Sequence, residues 1–180
     1  MSTHNNFIPI NIAIVTISDT RILDNDKSGD VLEDRVLKSN HKIISREIVK
    51  DNFEEIYELF SNFINNEKID VIISTGGTGL TGRDITPEVM KKLFEKTIDG
   101  FGEMFRWLSY SKIGTSSLQS RALAGVSNGT YIFCLPGSPS ACRDGWDQIL
   151  IHQLDIRHKP CNFVEIMPRL QEHKFSRKKN

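Results

Sequence analysis

Buried strands and amphipathic helices alternate along the first half of the chain. Residues 8–18 form a nearly continuous β-branched run, which is typical of a strand covered on both faces in a parallel sheet. Residues 43–49 and 69–74 have the same character, whereas residues 30–38 and 53–64 carry apolar side chains at helical spacing. The pattern predicts the order βαβαβ, with residues 8–18 as the central strand.

The second half adds a helix, a further helix and a hairpin. Thr86 followed by Pro87 is typical of a helix start, and that helix is predicted to run to about residue 96. Residues 100–113 predict the next helix. Two strand-like runs, at residues 122–126 and 130–135, flank an Asn-Gly pair that supplies the positive φ angles of a tight antiparallel turn.

The last predicted element is a helix at residues 140–154. Alternation of this kind favours an α/β fold with a mostly parallel sheet, helices on both faces and a short antiparallel hairpin. A length of 180 residues suits a single core. We expect one domain over residues 8–168, with flexible tails at residues 1–7 and 169–180.

Charge and composition favour no extended anionic partner. Lysine plus arginine and aspartate plus glutamate each number 23, so no global field favours nucleic acid or a membrane surface. The polar start of the chain lacks the pattern of a secretory signal, and no apolar segment is long enough for a bilayer span. We expect a cytoplasmic protein with no nucleic-acid or membrane partner. The basic residues 173–180 are either a nucleic-acid tail or a solvated terminus, and the neutral charge favours the second.

Cysteine and histidine usage indicates no metal or redox motif. Cys134, Cys142 and Cys161 lack paired spacing, so we expect reduced, buried thiols. The five histidines form no ligand pair in the sequence, and neither His152 nor His158 is assigned to a metal. No nucleophile elbow is present.

A glycine-rich loop at residues 74–84 leaves a predicted buried strand and reaches a helix only at Pro87. Glycines let backbone N–H groups approach an anion, and successive N–H groups form a concave phosphate site. The backbone N–H groups of residues 76–79 are therefore predicted to face phosphate. A turn without a ligand is the alternative, but the density of glycine and threonine beside Arg83 and Asp84 favours a ligand.

Two common phosphate motifs do not fit this loop. Gly77, Gly79 and Gly82 satisfy the spacing G-x-G-x-x-G, yet the dinucleotide motif requires a helix that opens within it. A Walker loop would need lysine and a hydroxyl residue where Arg83 and Asp84 stand. The loop therefore belongs to another class of phosphate site.

Two aspartates are candidates to hold a divalent ion. Phosphate groups bring negative oxygens together, and Mg²⁺ offsets that charge while taking one or two carboxylates from the protein. Asp51 follows the second predicted strand, and Asp84 precedes a helix. Either could instead be a helix or turn cap.

Other polar residues should share the same edge of the sheet, because ligands bind beyond the carboxyl ends of parallel strands. Arg83 pairs either with phosphate or with a surface carboxylate. The aromatic residues Phe101, Phe105 and Trp107 form either a subunit surface or part of the core, and core packing is the commoner arrangement. The predicted substrate-binding residues are Ser18, Asp19, Thr75, Gly76, Gly77, Thr78, Gly79, Arg83, Thr86, Pro136, Gly137 and Ser138.

The sequence resembles the MoaB/Mog family of molybdenum cofactor biosynthesis proteins over nearly its whole length. The segments that carry the resemblance are VTISD (15–19), TGGTG (75–79), RDITPE (83–88), GFGE (100–103), TSSLQSR (115–121) and LPGSP (135–139). The TSSLQSR segment and KPCNF at residues 159–163 are most similar to the bacterial MoaB branch.

The resemblance implies a three-layer α/β/α fold, a homotrimer or hexamer, and a Mg²⁺-dependent reaction in which molybdopterin takes adenylate from ATP and pyrophosphate is released. It also implies that Asp51 and Asp84 are the functional acids, with the TGGTG and PGSP loops lining the pterin and phosphate site. The product would pass to a MoeA-like molybdenum insertase. A non-catalytic molybdopterin carrier is the alternative, and a dinucleotide-binding oxidoreductase is a more distant one.

Overall fold

A single six-stranded sheet organises the computed structural model, which describes residues 6–175. The strands are β1 (Asn11–Ile17), β2 (Lys42–Val49), β3 (Val71–Thr75), β4 (Lys96–Thr97), β5 (Leu123–Ser127) and β6 (Thr130–Leu135). Their order is β2-β1-β3-β6-β5-β4. The pairs of β1 with β2, β1 with β3 and β3 with β6 are parallel, and β5 pairs antiparallel with both β6 and β4.

Helices cover both faces of this sheet. They are α1 (Lys27–Lys38), α2 (Phe53–Ile64), α3 (Thr86–Leu93), α4 (Asp99–Ile113), α5 (Pro139–Gly145), α6 (Ile151–Gln153), α7 (Phe163–Ile166) and α8 (Glu172–Phe175). A π turn (Trp146–Leu150) joins α5 to α6, so residues 139–153 form one helical rod. Side chains of Asp26, Asn52 and Ser138 cap α1, α2 and α5 by accepting backbone N–H groups of the first turn.

Alternate side chains of β1 enter two separate cores. Ile12 and Ile14 pack in a cluster with residues of α1, α4 and the rod 139–153. Ala13 and Val15 pack on the other face with residues of α2 and α3. Because strand side chains alternate between faces, these two cores make the fold a three-layer α/β/α arrangement, as expected.

The predicted order βαβαβ and the antiparallel hairpin are confirmed. The prediction that residues 8–18 form the central strand is wrong, because β1 lies second from the edge and β3 and β6 occupy the centre. Helix α3 also ends earlier than predicted, at Leu93. The Phe94 ring lies over Gly125, where a Cβ would come within 2.4 Å of it, and the chain then pairs with β5 as β4.

The expectation of buried thiols holds for Cys134 and Cys142 and is wrong for Cys161, which is exposed. Burial raises the pKa of the Cys134 thiol to about 12 and that of Cys142 to about 11. Core packing is correct for Phe101 and Phe105, but the Trp107 side chain is 73% exposed. The helix face that carries Trp107 is thus available at the surface.

The predicted tails lie partly outside the described residues, as does most of the basic segment 173–180. Within the described residues, the Phe7 ring contacts His41 at a centroid distance of 5.2 Å. Gln171 and Lys174 donate hydrogen bonds to Asn128. Over residues 6–175, none of the helices combines the length and the apolar character that a bilayer crossing requires.

Candidate functional site

A cavity of about 630 Å³ opens beyond the carboxyl ends of β1, β3 and β6. Most of the predicted substrate-binding residues line it, as does the predicted acid Asp84. These lining residues are Ser18, Thr75, Gly76, Gly77, Thr78, Gly79, Asp84, Pro136, Gly137 and Ser138. The other predicted residues, Asp19, Asp51, Arg83 and Thr86, lie next to the cavity without lining it.

The glycine-rich loop needs glycine at two positions. Gly76 and Gly77 have φ angles of 107° and 62°, in the region that side chains disfavour. A Cβ on Gly76 would lie 2.1 Å from the carbonyl oxygen of Ile17, and one on Gly77 would lie 2.2 Å from Thr86 Oγ1. Thr86 in turn donates its hydroxyl to Gly76 O (3.1 Å) and its N–H to Gly77 O (3.0 Å). The first residue of α3 therefore fixes the loop through two hydrogen bonds to its carbonyl groups.

The prediction that all the N–H groups of residues 76–79 face phosphate is wrong at both ends of the segment. The Gly76 N–H donates to Leu135 O at 3.0 Å, and the Gly79 N–H is engaged by the Asp84 carboxylate. Within residues 6–175, the N–H groups of Gly77 and Thr78 have no acceptor, and both residues line the cavity. Two N–H groups, rather than four, are therefore available to an anion.

Asp19, Asp51 and Arg83 form a polar group beside the loop. The Asp51 N–H donates to Asp19 Oδ1 at 3.2 Å, and Arg83 Nε donates to Asp19 Oδ2 at 3.1 Å. The hydrogen bond from Arg83 is the main cause that lowers the pKa of Asp19. Arg83 was predicted to pair either with phosphate or with a surface carboxylate. It pairs with the carboxylate of Asp19, which is itself a predicted substrate-binding residue.

Asp51 carries an unsatisfied buried oxygen. Its Oδ1 is buried and has no hydrogen-bond donor in the described residues, and it lies 2.9 Å from where a Cβ on Gly77 would stand. Burial raises the pKa of Asp51, and the nearby charges of Asp19 and Asp84 raise it further. A cation at this carboxylate would offset both penalties.

The Asp84 carboxylate, unlike Asp51 Oδ1, accepts hydrogen bonds from side-chain and backbone donors. Its Oδ2 accepts hydrogen bonds from the N–H (2.8 Å) and hydroxyl (2.6 Å) of Thr81. Burial acts to raise the pKa of Asp84, but the hydrogen bonds from Thr81 and from the Gly79 N–H outweigh it and hold that pKa below its ordinary value. Asp84 is thus ionised and fixed at the cavity wall.

The donor set at this edge fits Mg²⁺. No group of three or more potential protein ligands occurs among the described residues. Mg²⁺ needs only one or two carboxylates, because water and substrate phosphates complete its shell. Asp51, with its unsatisfied oxygen, and Asp84, close enough for its charge to act on Asp51, are the residues that would hold it.

Arg121 joins two parts of the candidate site and was not among the predicted site residues. Its Nε donates to Gly79 O and its Nη2 to Asp84 O, each at 2.7 Å, and its Nη1 pairs with Glu88. One guanidinium therefore joins the end of the glycine loop to Asp84 and α3. The signal was present in the TSSLQSR segment, which contains it.

A further wall of the cavity was not expected from the strand ends. It combines the end of α4 with the 3₁₀ turn Gly114–Gln119 and contributes Phe105, Ser109, Lys112, Gln119 and Ser120 to the cavity. These residues are distant in sequence from the strand ends, so the rule that places ligands at strand ends does not reach them.

The PGSP loop forms the third wall. Its carbonyl groups are held by two hydroxyls, since Thr75 Oγ1 donates to Pro136 O (2.9 Å) and Ser28 Oγ donates to Gly137 O (2.8 Å). Ser138 accepts the Ala141 N–H at 3.1 Å and begins the rod 139–153. The positive end of that rod therefore faces the cavity.

Replacing Asp51 by asparagine is expected to stabilise the metal-free protein at neutral pH. The raised pKa means that the folded state holds the Asp51 proton more tightly than the unfolded state, so stability falls as the pH rises from the unfolded-state pKa to the folded-state pKa, and the full cost of the charged group is present above both. A gain of about 1 kcal/mol would raise the melting temperature by about 2–4 °C. Thermal denaturation in chelator at pH 7.5 and at pH 3.5 measures it. The gain should shrink at the lower pH, and a lower melting temperature at pH 7.5 would contradict this account.

Comparison with known proteins gives consistent matches. Residues 13–156 match the family described as "Probable molybdopterin binding domain". The chain is 48% identical over 157 residues to molybdenum cofactor biosynthesis protein B of Escherichia coli (strain K12), covering 87% of this chain and 92% of that protein. A crystal structure of molybdenum cofactor biosynthesis protein B has a TM-score of 0.82 at 37% identity, covering 92% of this chain and 98% of the other. A structure of MogA has a TM-score of 0.71 at 29% identity, covering 80% and 97%.

Proposed function

Because this chain belongs to the MoaB/Mog family of molybdenum cofactor biosynthesis proteins, we propose that it transfers adenylate from ATP to the terminal phosphate of molybdopterin and releases pyrophosphate. The observation that carries the proposal is the meeting of two free N–H groups, on Gly77 and Thr78, with the carboxylates of Asp51 and Asp84 at one loop. N–H groups can bind phosphate, and carboxylates can hold its counter-ion.

The cavity suits two substrates that both carry phosphate. Its volume of about 630 Å³ lies within the usual range of small-molecule sites, roughly 300–1,000 Å³. The glycine loop offers the N–H groups of Gly77 and Thr78, and the positive end of the rod 139–153 at Ser138 offers a second place where an anion can be stabilised. One can hold the pterin phosphate while the other holds the nucleotide.

The reaction requires little acid or base chemistry from the protein. An oxygen of the pterin phosphate attacks the α-phosphorus of ATP, and the bond from that phosphorus to the bridging oxygen of the β-phosphate breaks as pyrophosphate leaves. The chain contributes position, because Gly77 and Thr78 fix a phosphate and Arg121 fixes the loop relative to Asp84. Bound Mg²⁺ would supply the positive charge that offsets the crowded phosphate oxygens.

A molybdopterin carrier that performs no transfer is the second candidate, and one observation favours it. Asp84 Oδ2 is already engaged by Thr81, so only part of its carboxylate is free for a cation. If Thr81 does not release it, the cavity could bind the pterin phosphate without assembling a catalytic centre.

Pyrophosphate release separates the two candidates. Purified protein is mixed with ATP, Mg²⁺ and molybdopterin, and both pyrophosphate and the mass of the pterin product are measured. We expect pyrophosphate and adenylylated pterin in equal amounts, with neither formed when the pterin is omitted. Pterin binding by fluorescence without pyrophosphate would contradict the enzyme and support the carrier.

We also propose that the chain self-associates as a trimer or hexamer and passes its product to a MoeA-like molybdenum insertase. Self-association is supported by the outward face of α4, where Met104, Trp107 and Tyr110 are each at least half exposed. Aromatic residues and methionine are enriched at protein interfaces, and exposed apolar patches often mark such sites. The partner assignment rests on family membership alone.

A further inference from the structure

The helical rod 139–153 ends beside a pair of histidine rings. The ring centroids of His152 and His158 are 5.2 Å apart, and the ring planes are tilted by 39°. We propose that these two imidazoles form a bidentate site for a borderline divalent transition-metal ion such as Cu²⁺, Ni²⁺ or Zn²⁺. The sequence alone assigns neither histidine to a metal, but the turn between them brings together two residues that lie six positions apart.

The separation of the rings matches that of two imidazoles on one metal ion. A metal–nitrogen bond is about 2.0–2.1 Å, and the ring centre lies about 1.1–1.2 Å further on, so two imidazoles on one ion have centroids about 5.2 Å apart at the tetrahedral angle of Zn²⁺ and about 4.5 Å apart at the angle of about 90° that Cu²⁺ and Ni²⁺ favour. The centroids of His152 and His158 already have the tetrahedral spacing, and an approach of less than about 1 Å gives the spacing that Cu²⁺ and Ni²⁺ favour. Rotation about the Cβ–Cγ bond is soft in histidine and turns the ring nitrogens while moving the ring centre little, so the spacing can be kept as the nitrogens turn towards an ion.

The backbone that carries the two histidines is held in place. Leu154 and Ile156, between them, are buried in the core. The His158 N–H donates to Asp155 O at 3.0 Å. Asn162, itself buried, donates from Nδ2 to Ile156 O (3.2 Å) and His158 O (3.0 Å). A preorganised pair loses little conformational freedom when it binds an ion, which favours chelation.

Both imidazoles are available for a ligand. Within residues 6–175, no ring nitrogen of His152 or His158 makes a hydrogen bond, and His152 is exposed while His158 is half-buried. His152 lies in the last turn of the rod, where the helix dipole favours positive charge. The nearby Asp155 is engaged by Arg157 through both carboxylate oxygens, so it is not a third ligand. Water would fill the remaining positions on the ion.

This site is independent of the proposed reaction. The rod begins at the cavity and is 15 residues long, which places its far end about 20 Å away. Imidazole selects Cu²⁺, Ni²⁺ and Zn²⁺, in the order of affinity Cu²⁺ above Ni²⁺ and Zn²⁺, whereas Mg²⁺ prefers oxygen ligands. The two sites can therefore be loaded separately.

Isothermal titration of the full-length, tag-free protein with Ni²⁺ tests the proposal, with excess Mg²⁺ present to occupy oxygen sites. We expect one Ni²⁺ per chain, and at least a tenfold loss of affinity in both His152→Ala and His158→Ala. His173→Ala, which removes another exposed histidine, should bind as the unchanged protein does. Electron paramagnetic resonance with Cu²⁺ should show two coordinated nitrogens, falling to one in either single variant.

Unchanged Ni²⁺ affinity in His152→Ala or in His158→Ala would overturn the proposal, as would a loss confined to His173→Ala. Misfolding would not confuse the result, because the His152 side chain is exposed and neither ring makes a hydrogen bond that the substitution would remove. Equal melting temperatures of the metal-free variants check this point.

Discussion

Asp84→Asn should lower the rate of pyrophosphate release by about 10²–10³-fold while leaving the fold intact. The substitution removes the negative charge from the cavity wall. A cation beside the phosphates would then lose one of the two carboxylates that we propose hold it. It keeps a side-chain oxygen that can still accept the hydrogen bonds of Thr81. Steady-state kinetics at several Mg²⁺ concentrations measure the effect.

The matched control is Asp99→Asn, which removes an equivalent charge at an exposed position away from the cavity. Its rate should equal that of the unchanged protein. If a folded Asp84→Asn protein released pyrophosphate at the normal rate, the transfer would not depend on Asp84, and the proposal that this carboxylate holds the cation would be wrong.

Gly77→Ala is expected to remove activity and to destabilise the protein by about 1–3 kcal/mol. Alanine is strained at a φ of 62°, and its Cβ would lie 2.2 Å from Thr86 Oγ1 and 2.9 Å from Asp51 Oδ1. The loop must therefore shift, and the N–H of residue 77 with it. Denaturant unfolding gives the stability, and the transfer assay at a temperature where both proteins are folded gives the activity.

Gly82→Ala provides the comparison within the same loop. A Cβ there meets no atom within 4 Å, and Gly82 is not among the glycines with positive φ. Both its stability and its activity should stay close to those of the unchanged protein. Equal behaviour of the two variants would mean that the conformation at Gly77 does not matter for transfer.

Much of the fold could be predicted from the local pattern. The predicted strands at residues 43–49 and 69–74 correspond to β2 and β3. Their bounds agree within one residue, except at the start of β3, where the difference is two residues. The position of β1 within the sheet was not accessible in this way, because the order of strands depends on which crossover passes over which face. Strand β4 was missed since two residues give no periodicity, and it exists only through its pairing with β5.

Part of the candidate site could likewise be predicted from the sequence, and part could not. The rule for parallel sheets correctly brought the loops at Ser18, Gly77 and Gly137 to one cavity. The hydrogen bonding of individual N–H groups could not be read from a motif, because the acceptors of Gly76 and Gly79 come from Leu135 and Asp84. The same limit applies to His152 and His158, whose approach depends on a turn that ordinary residues form.

The central claim is spatial, and a crystal structure with Mg²⁺ and a non-hydrolysable ATP analogue tests it directly. We expect phosphate oxygens within hydrogen-bond distance of the N–H groups of Gly77 and Thr78, and a metal ion coordinated by Asp51 and Asp84. A nucleotide bound elsewhere, or a metal ion that neither aspartate contacts, would contradict the account.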